Sequence, residues 1–122
     1  ANRTGERAQE LAQMFRESGP VEGCGFDDVA PEPWDLVINA TSAGLSGTVP
    51  PVSVEVVGPE TVCYDMSYGR EDTPFQRWAR DAGATQVHKG WGMLVEQAAE
   101  AFDLWHGVRP ETRSVLAALI EQ

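Results

Sequence analysis

Arg3 and Arg7 stand on either side of a helix entrance that begins after Thr4. Guanidinium groups beside the open N–H groups of a helix start form a natural phosphate clamp, and the same spacing also suits a capped helix with solvated arginines. Further along, Lys89-Gly90-Trp91-Gly92 leads into a strongly patterned helix with one amide, Gln97, in its second turn. A helix that opens on a Gly-x-Gly turn suits a start held close to a ligand. Tyr68 and Gln97 carry groups able to hydrogen-bond a polyhydroxylated ligand, or to serve the structure. The loop Ala40-Thr41-Ser42-Ala43-Gly44 is small and rich in hydroxyls, and it follows a candidate strand. Open α/β sheets bind ligands at such strand ends, although a plain connection reads the same way.

Catalytic constellations are sparse. His88 and His106 are single and lack metal-pair spacing, and His106 suits the negative end of a helix. No Ser or Cys lies in a nucleophile-elbow context. Lys89 reads as a surface lysine more readily than as a desolvated base. Cys24 and Cys63 sit in apolar settings and read as unpaired buried thiols of a reducing cytoplasm. The residues alone describe a ligand-binding α/β module without a catalytic group of its own and without a metal.

The elements that must position these residues alternate between strand and helix. A helix runs from about Gly5 to Glu17, capped by the Thr4 hydroxyl, with Ala8, Leu11, Ala12 and Phe15 on one face. Val21 to Cys24 suits a short strand, followed by a helical turn around Phe26 to Val29. Asp35 to Asn39 reads as a strand buried on both faces, of the parallel-sheet type. One helical turn falls around Ser53 to Val57, and a second buried strand over Thr61 to Met66. Thr73 and Pro74 open a helix with Phe75, Trp78 and Ala79 inward and Gly83 at its end. Ala84 to Val87 is the third strand. The last two helices cover 91–106, with Leu94, Ala98, Ala101, Phe102 and Trp105 as its core stripe, and Glu111 to Gln122, with Val115, Leu116, Leu119 and Ile120 inward. This alternation predicts a parallel α/β sheet. The chain opens on a helix entrance with no strand before it, which reads as a cut in a larger domain.

Composition narrows the partners. The 122 residues suit one domain, and the net charge of −10 gives no basic footprint for nucleic acid or an anionic membrane. No apolar run approaches the ~20 residues of a membrane helix, and no apolar core of signal-peptide type stands near the start. One lysine faces eight arginines, most of them read as solvated surface.

Four strings occur here in an order that resembles shikimate dehydrogenases: Asn2-Arg3-Thr4-x-x-Arg7; Ile38-Asn39-Ala40-Thr41; Tyr64-Asp65-Met66-x-Tyr68 with Thr73-Pro74-Phe75; and Gly90-x-Gly92-Met93-Leu94-x-x-Gln97-Ala98-Ala99-x-x-Phe102-x-x-Trp105-x-Gly107. The resemblance spans almost the whole chain and is to the NADP-dependent branch. It implies that Asn2, Arg3, Thr4 and Arg7 surround the 2′-phosphate of NADP. Thr41, Met66 and Gly90 would line the nicotinamide side, and Tyr68 and Gln97 would reach shikimate or 3-dehydroshikimate. The implied reaction is reversible NADPH-dependent reduction of the C3 carbonyl of 3-dehydroshikimate, on the cytoplasmic route to chorismate and the aromatic amino acids.

The same resemblance implies that the catalytic Lys–Asp pair, an N-terminal substrate domain and the first βαβ unit with its glycine-rich loop lie outside these residues. The fold would then be a partial Rossmann-like parallel sheet flanked by helices. Residues 1–107 would belong to the cofactor domain, with 91–106 as a hinge helix, and 108–122 would form a C-terminal helix. The chain alone would be inactive and would pair its open sheet edge with another copy. A free-standing nucleotide-binding or assembly module and a quinate/shikimate paralogue are the alternative readings. The family often has an acidic residue where this chain has Lys89, and residues 69–72 follow no fixed pattern.

Overall fold

In the computed structural model, which describes residues 1–121, three short strands form one parallel sheet: β1 (Leu36–Asn39), β2 (Val62–Asp65) and β3 (Gln86–Lys89). Their order is β1-β2-β3, with Val37, Cys63 and Val87 in register across the middle. Because side chains alternate between faces, this row and the row Asn39, Asp65 and Lys89 share one side. The helix α2 (Pro74–Asp81) crosses that side between β2 and β3. It packs Phe75 and Ala79 with Val56, Val57, Cys63 and Ala84 into the core. The connection from β1 to β2 has no α-helix among its described residues, only helical turns at Ser42–Ser46 and Val54–Val56. Val56, 2% exposed, supplies core contact from the second turn.

The start of α2 is fixed locally. Thr73 accepts from the Gln76 N–H, Gln76 returns its carbonyl oxygen to the Thr73 N–H, and Pro74 sits where no N–H is needed. Its end explains why β3 starts two residues later than the pattern suggests. Gly83 adopts φ +102°, and the Ala84 N–H turns back to the Ala79 carbonyl at 3.0 Å. That donor serves the helix end, so the ladder begins only at Gln86.

The helix α1 (Gly5–Phe15) forms as expected but stops before Glu17, and the Thr4 side chain does not cap it. Instead the Thr4 N–H donates to the Asn2 side-chain oxygen at 2.9 Å. Val21 to Cys24 is not a strand. Only a parallel bridge between Asn2 and Gly25 forms, supported by the Asn2 N–H on the Cys24 carbonyl. A helical turn at Phe26–Asp28 follows. The strand β1 is not buried on both faces either: Leu36 and Ile38 are 53% and 55% exposed, since no element packs over them and no strand pairs with the outer edge among the described residues.

The helix α3 (Trp91–His106) has the expected limits but a different inner face. Val95 and Ala99, four residues apart, are buried, whereas Phe102 and Trp105 are exposed and Ala98 lies outward. The small residues allow close packing on the protein, and the larger apolar stripe points away. The helix α4 (Arg113–Ile120) is shorter than expected and packs on α3; it half-buries Leu116 and Leu119 and leaves Val115 and Ile120 exposed. Gln122, the expected end of this helix, lies outside the described residues. Both cysteines are unpaired, and only Cys63 is fully buried, where burial pushes its thiol pKa up; Cys24 is half-buried.

The Glu111 carboxylate caps α4 by accepting from the N–H groups of Arg113 and Ser114, at 2.7 and 3.0 Å. The Ser114 hydroxyl, which also donates to this carboxylate, and then the two N–H groups hold its pKa below the ordinary value of 4.5. A lowered folded-state pKa makes the contribution complete above about 4.5 and lost as pH falls through the lower folded value. Amide exchange in α4 is expected to accelerate across that acidic window, and Glu111→Gln should remove this dependence.

Candidate functional site

The carboxyl ends of the strands carry a buried polar knot. Asp65, fully buried at the end of β2, accepts from the Asn39 amide at 3.2 Å and from the Ser67 N–H at 3.0 Å. Its other oxygen accepts from the Thr73 hydroxyl. Asn39 in turn accepts from the N–H and hydroxyl of Thr41, at 3.1 and 2.8 Å. Thr41 then caps the turn at Ser42–Ser46 through the Ala43 N–H. One connected set of hydrogen bonds thus orients the loop after β1, the loop after β2 and the start of α2. Burial requires such pairing, because each unsatisfied polar group there costs about 1–3 kcal/mol.

An open groove of about 820 Å³ lies beside this knot. Asn2, Arg3 and Arg7 line one part, and Asn39, Thr41 and Ser42 line another. Every residue of β1 borders it; since those side chains point to both faces, the groove follows the outer edge of the strand. Among the described residues, neither Arg3 nor Arg7 is engaged in an ion pair. Thr4 does not line the groove. An anion with an extended apolar or polar body fits this arrangement, with two guanidiniums at one end and hydroxyl and amide groups at the other.

Met66, Tyr68, Gly90 and Gln97 lie outside that groove. Gly90 is buried, and a Cβ there would come 2.2 Å from the Met66 carbonyl oxygen, so the start of α3 crosses β2 at a distance only glycine allows. The Gly90 N–H donates to the Ser67 carbonyl at 3.0 Å. Tyr64 satisfies another open donor of this helix: its hydroxyl accepts from the Met93 N–H at 3.1 Å. The Met66 N–H is held by the Asn39 carbonyl, while the residue as a whole is 37% exposed. Tyr68 is half exposed and lies against Trp91, with ring centroids 5.1 Å apart. Gln97 is exposed, and its amide turns back to the Leu94 carbonyl at 3.2 Å.

Residue patterns give no role to Asn39, Asp65, Thr73 or Lys89 in shaping these loops. The available signal is a polar residue closing each apolar strand: Asn39 after Ile38 and Asp65 after Tyr64. Lys89, read as a plain surface lysine, is three-quarters covered and donates to the carbonyls of Gly69, Arg70 and Glu71. Its ammonium also lies 3.4 Å from Asp72, which pairs with Arg80 as well. Desolvation raises the Asp72 pKa, but the Arg80 and Lys89 charges and hydrogen bonds overcome it and hold the carboxyl below its ordinary range.

A parallel sheet with a helical crossover and its polar groups gathered at the strand ends defines the Rossmann-like class of α/β proteins. The shikimate 5′-dehydrogenase C-terminal domain matches this chain over residues 90–120. Over 119 residues the chain is 52% identical to the shikimate dehydrogenase (NADP(+)) of Methylococcus capsulatus, covering 98% of this chain and 43% of that protein. A crystal structure of a shikimate dehydrogenase in complex with NADP+ superposes with a TM-score of 0.78 at 32% identity, over 99% of this chain and 45% of the other. The Thermus thermophilus enzyme in complex with NADP(H) and shikimate gives 0.77 at 30% identity, over 98% and 44%. The chain belongs to the shikimate dehydrogenase family, as a C-terminal portion spanning less than half the length of these relatives.

Replacing Asp65 by Ala leaves the Asn39 amide, the Ser67 N–H and the Thr73 hydroxyl without their acceptor. The expected loss is about 3 kcal/mol or more, read as a lower urea midpoint, with faster amide exchange in residues 66–73. An unchanged midpoint would remove the knot from its organising role.

Proposed function

We propose that these residues form the cofactor-side portion of an NADP-dependent shikimate dehydrogenase, a cytoplasmic oxidoreductase that interconverts 3-dehydroshikimate and shikimate. The observation that carries this reading is the groove joining Asn2, Arg3 and Arg7 to Thr41 along the edge of β1. Two exposed guanidiniums suit the 2′-phosphate that distinguishes NADP from NAD. Asn2 shares the groove wall with them. Thr4, between Arg3 and Arg7 at the helix entrance, joins them in this reading from just outside the groove wall. NADPH supplies the two electrons of the reduction as a hydride.

In this reading Thr41, Met66 and Gly90 line the nicotinamide side. Gly90 has a structural reason as well, since its contact with the Met66 carbonyl fixes the separation of β2 and α3. Tyr68 and Gln97 hydrogen-bond the substrate from the loop after β2 and from α3. The Gln97 amide rests on its own helix and is exposed enough to turn outward. Residues 1–107 form the cofactor domain with α3 as hinge helix, and 108–122 close the chain. Proton transfer falls to a Lys–Asp pair on a substrate domain beyond these residues.

The bare edge of β1 supports a further strand there, in keeping with an order 3-2-1-4-5-6 in which β1, β2 and β3 take the last three places. It also supports a second state for the isolated chain, in which copies pair through that edge and through exposed Leu36 and Ile38. Light scattering is expected to give an oligomer, and a well-ordered monomer would remove this state. The isolated chain is expected to show no shikimate-dependent reduction of NADP, and turnover above buffer background would overturn that expectation.

In the complete polypeptide that carries these residues, shikimate should drive NADP reduction. Arg3→Ala and Arg7→Ala should each raise KM for NADP roughly ten- to a hundredfold, the equivalent of about 1.5–3 kcal/mol for a charge-assisted hydrogen bond. KM for NAD should stay nearly constant. An unchanged preference between the two cofactors would remove the clamp.

A further inference from the structure

Three consecutive residues hold Tyr68 from three directions. On its N-terminal side, the Ser67 carbonyl accepts from the Gly90 N–H at 3.0 Å. On its C-terminal side, the Lys89 ammonium takes the carbonyls of Gly69, Arg70 and Glu71 at 3.3, 2.9 and 3.2 Å. The Tyr68 ring itself rests on Trp91, with centroids 5.1 Å apart. The loop has little else to define it: Gly69 has open space where a Cβ would be, and Arg70 and Glu71 are exposed. Three carbonyls converging on one point repel one another unless a cation or several donors fill it. An ammonium with three N–H groups meets that need in a way no neutral or acidic side chain can. Asp72, 3.4 Å from the same nitrogen and bonded to Arg80, fastens the far end of the loop to α2.

We propose that Lys89 is a positioning residue for the substrate, acting through Tyr68: by gathering residues 69–72 it fixes where the tyrosine hydroxyl stands. The proposal rests on the reading of Tyr68 as a substrate ligand. It assigns to this chain's unusual lysine and to its irregular 69–72 stretch one shared task. Lys89 touches neither substrate nor cofactor in this arrangement. It lowers the freedom of a half-exposed side chain that would otherwise have to be ordered on binding.

The complete polypeptide is the test, through KM and kcat for shikimate in a double-mutant cycle. Lys89→Met is expected to raise KM roughly three- to tenfold with little change in kcat, the pattern of a lost binding contact. In a Tyr68→Phe background the same substitution should add almost nothing, because its effect passes through the missing hydroxyl. Lys89→Arg, which keeps charge and donors, should recover most of the lost affinity. Hydrogen exchange in residues 67–72 should accelerate in Lys89→Met while α3 keeps its protection. Equal KM increases in both backgrounds, or none in either, would overturn the proposal. If Lys89→Met does not fold, Asp72→Asn takes its place in the cycle, with the same non-additivity expected. A parent enzyme without shikimate-dependent NADP reduction would instead overturn the functional reading, and exchange in 67–72 would still decide whether Lys89 holds the loop.

Discussion

Asp65 is the point on which the upper end of this molecule depends. A single fully buried carboxyl group accepts from β1 through Asn39, from its own following loop through Ser67, and from α2 through Thr73. Each donor comes from a segment that would otherwise leave the sheet in its own direction. A fully apolar cluster would fill the same volume without fixing those directions, because dispersion contacts are not directional. Hydrogen bonds are, so the knot sets the angle at which each loop departs. Thr41, Met66 and Tyr68 each belong to this network or stand next to a residue in it.

The sequence describes some of this molecule well because some of its interactions are local. Thr73, Pro74 and Gln76 define the start of α2 with contacts no more than three residues apart. Gly107, at φ +69°, closes α3 where expected. The failures arise where distant groups decide. The start of β3 depends on the Ala84 N–H turning back to Ala79, and apolar periodicity does not record where a donor is spent. The Thr4 hydroxyl suits a helix cap in isolation, but the Asn2 side chain organises that turn through the backbone. Arg3 and Arg7 stand more than 30 positions from Thr41 in sequence, and only the groove brings them to one place. Lys89 was the least legible residue, since backbone carbonyls carry no side-chain signature.

Two surfaces separate what the sequence prepares from what these elements cover. Strand β1 has the composition of an interior strand, yet Leu36 and Ile38 remain open. Helix α3 has two apolar stripes, and the one buried here is built from the smaller side chains, Val95 and Ala99, whereas Leu104 and Trp105 are 84% and 75% exposed. Both surfaces read as interior positions without their covering, as suits a chain that spans less than half the length of its relatives. Patterning identifies which faces are apolar; it does not say which partner buries them.

Lys89 is the only lysine in the chain, so an amine-directed reagent has a single side-chain target. Acylation would remove the charge and two of the three N–H donors that meet the carbonyls of Gly69, Arg70 and Glu71. The ammonium is largely covered and fully engaged, which makes the loop's opening the step that admits the reagent. Reaction at this one nitrogen, counted apart from the exposed terminal amine of Ala1, therefore clocks the loop's excursions.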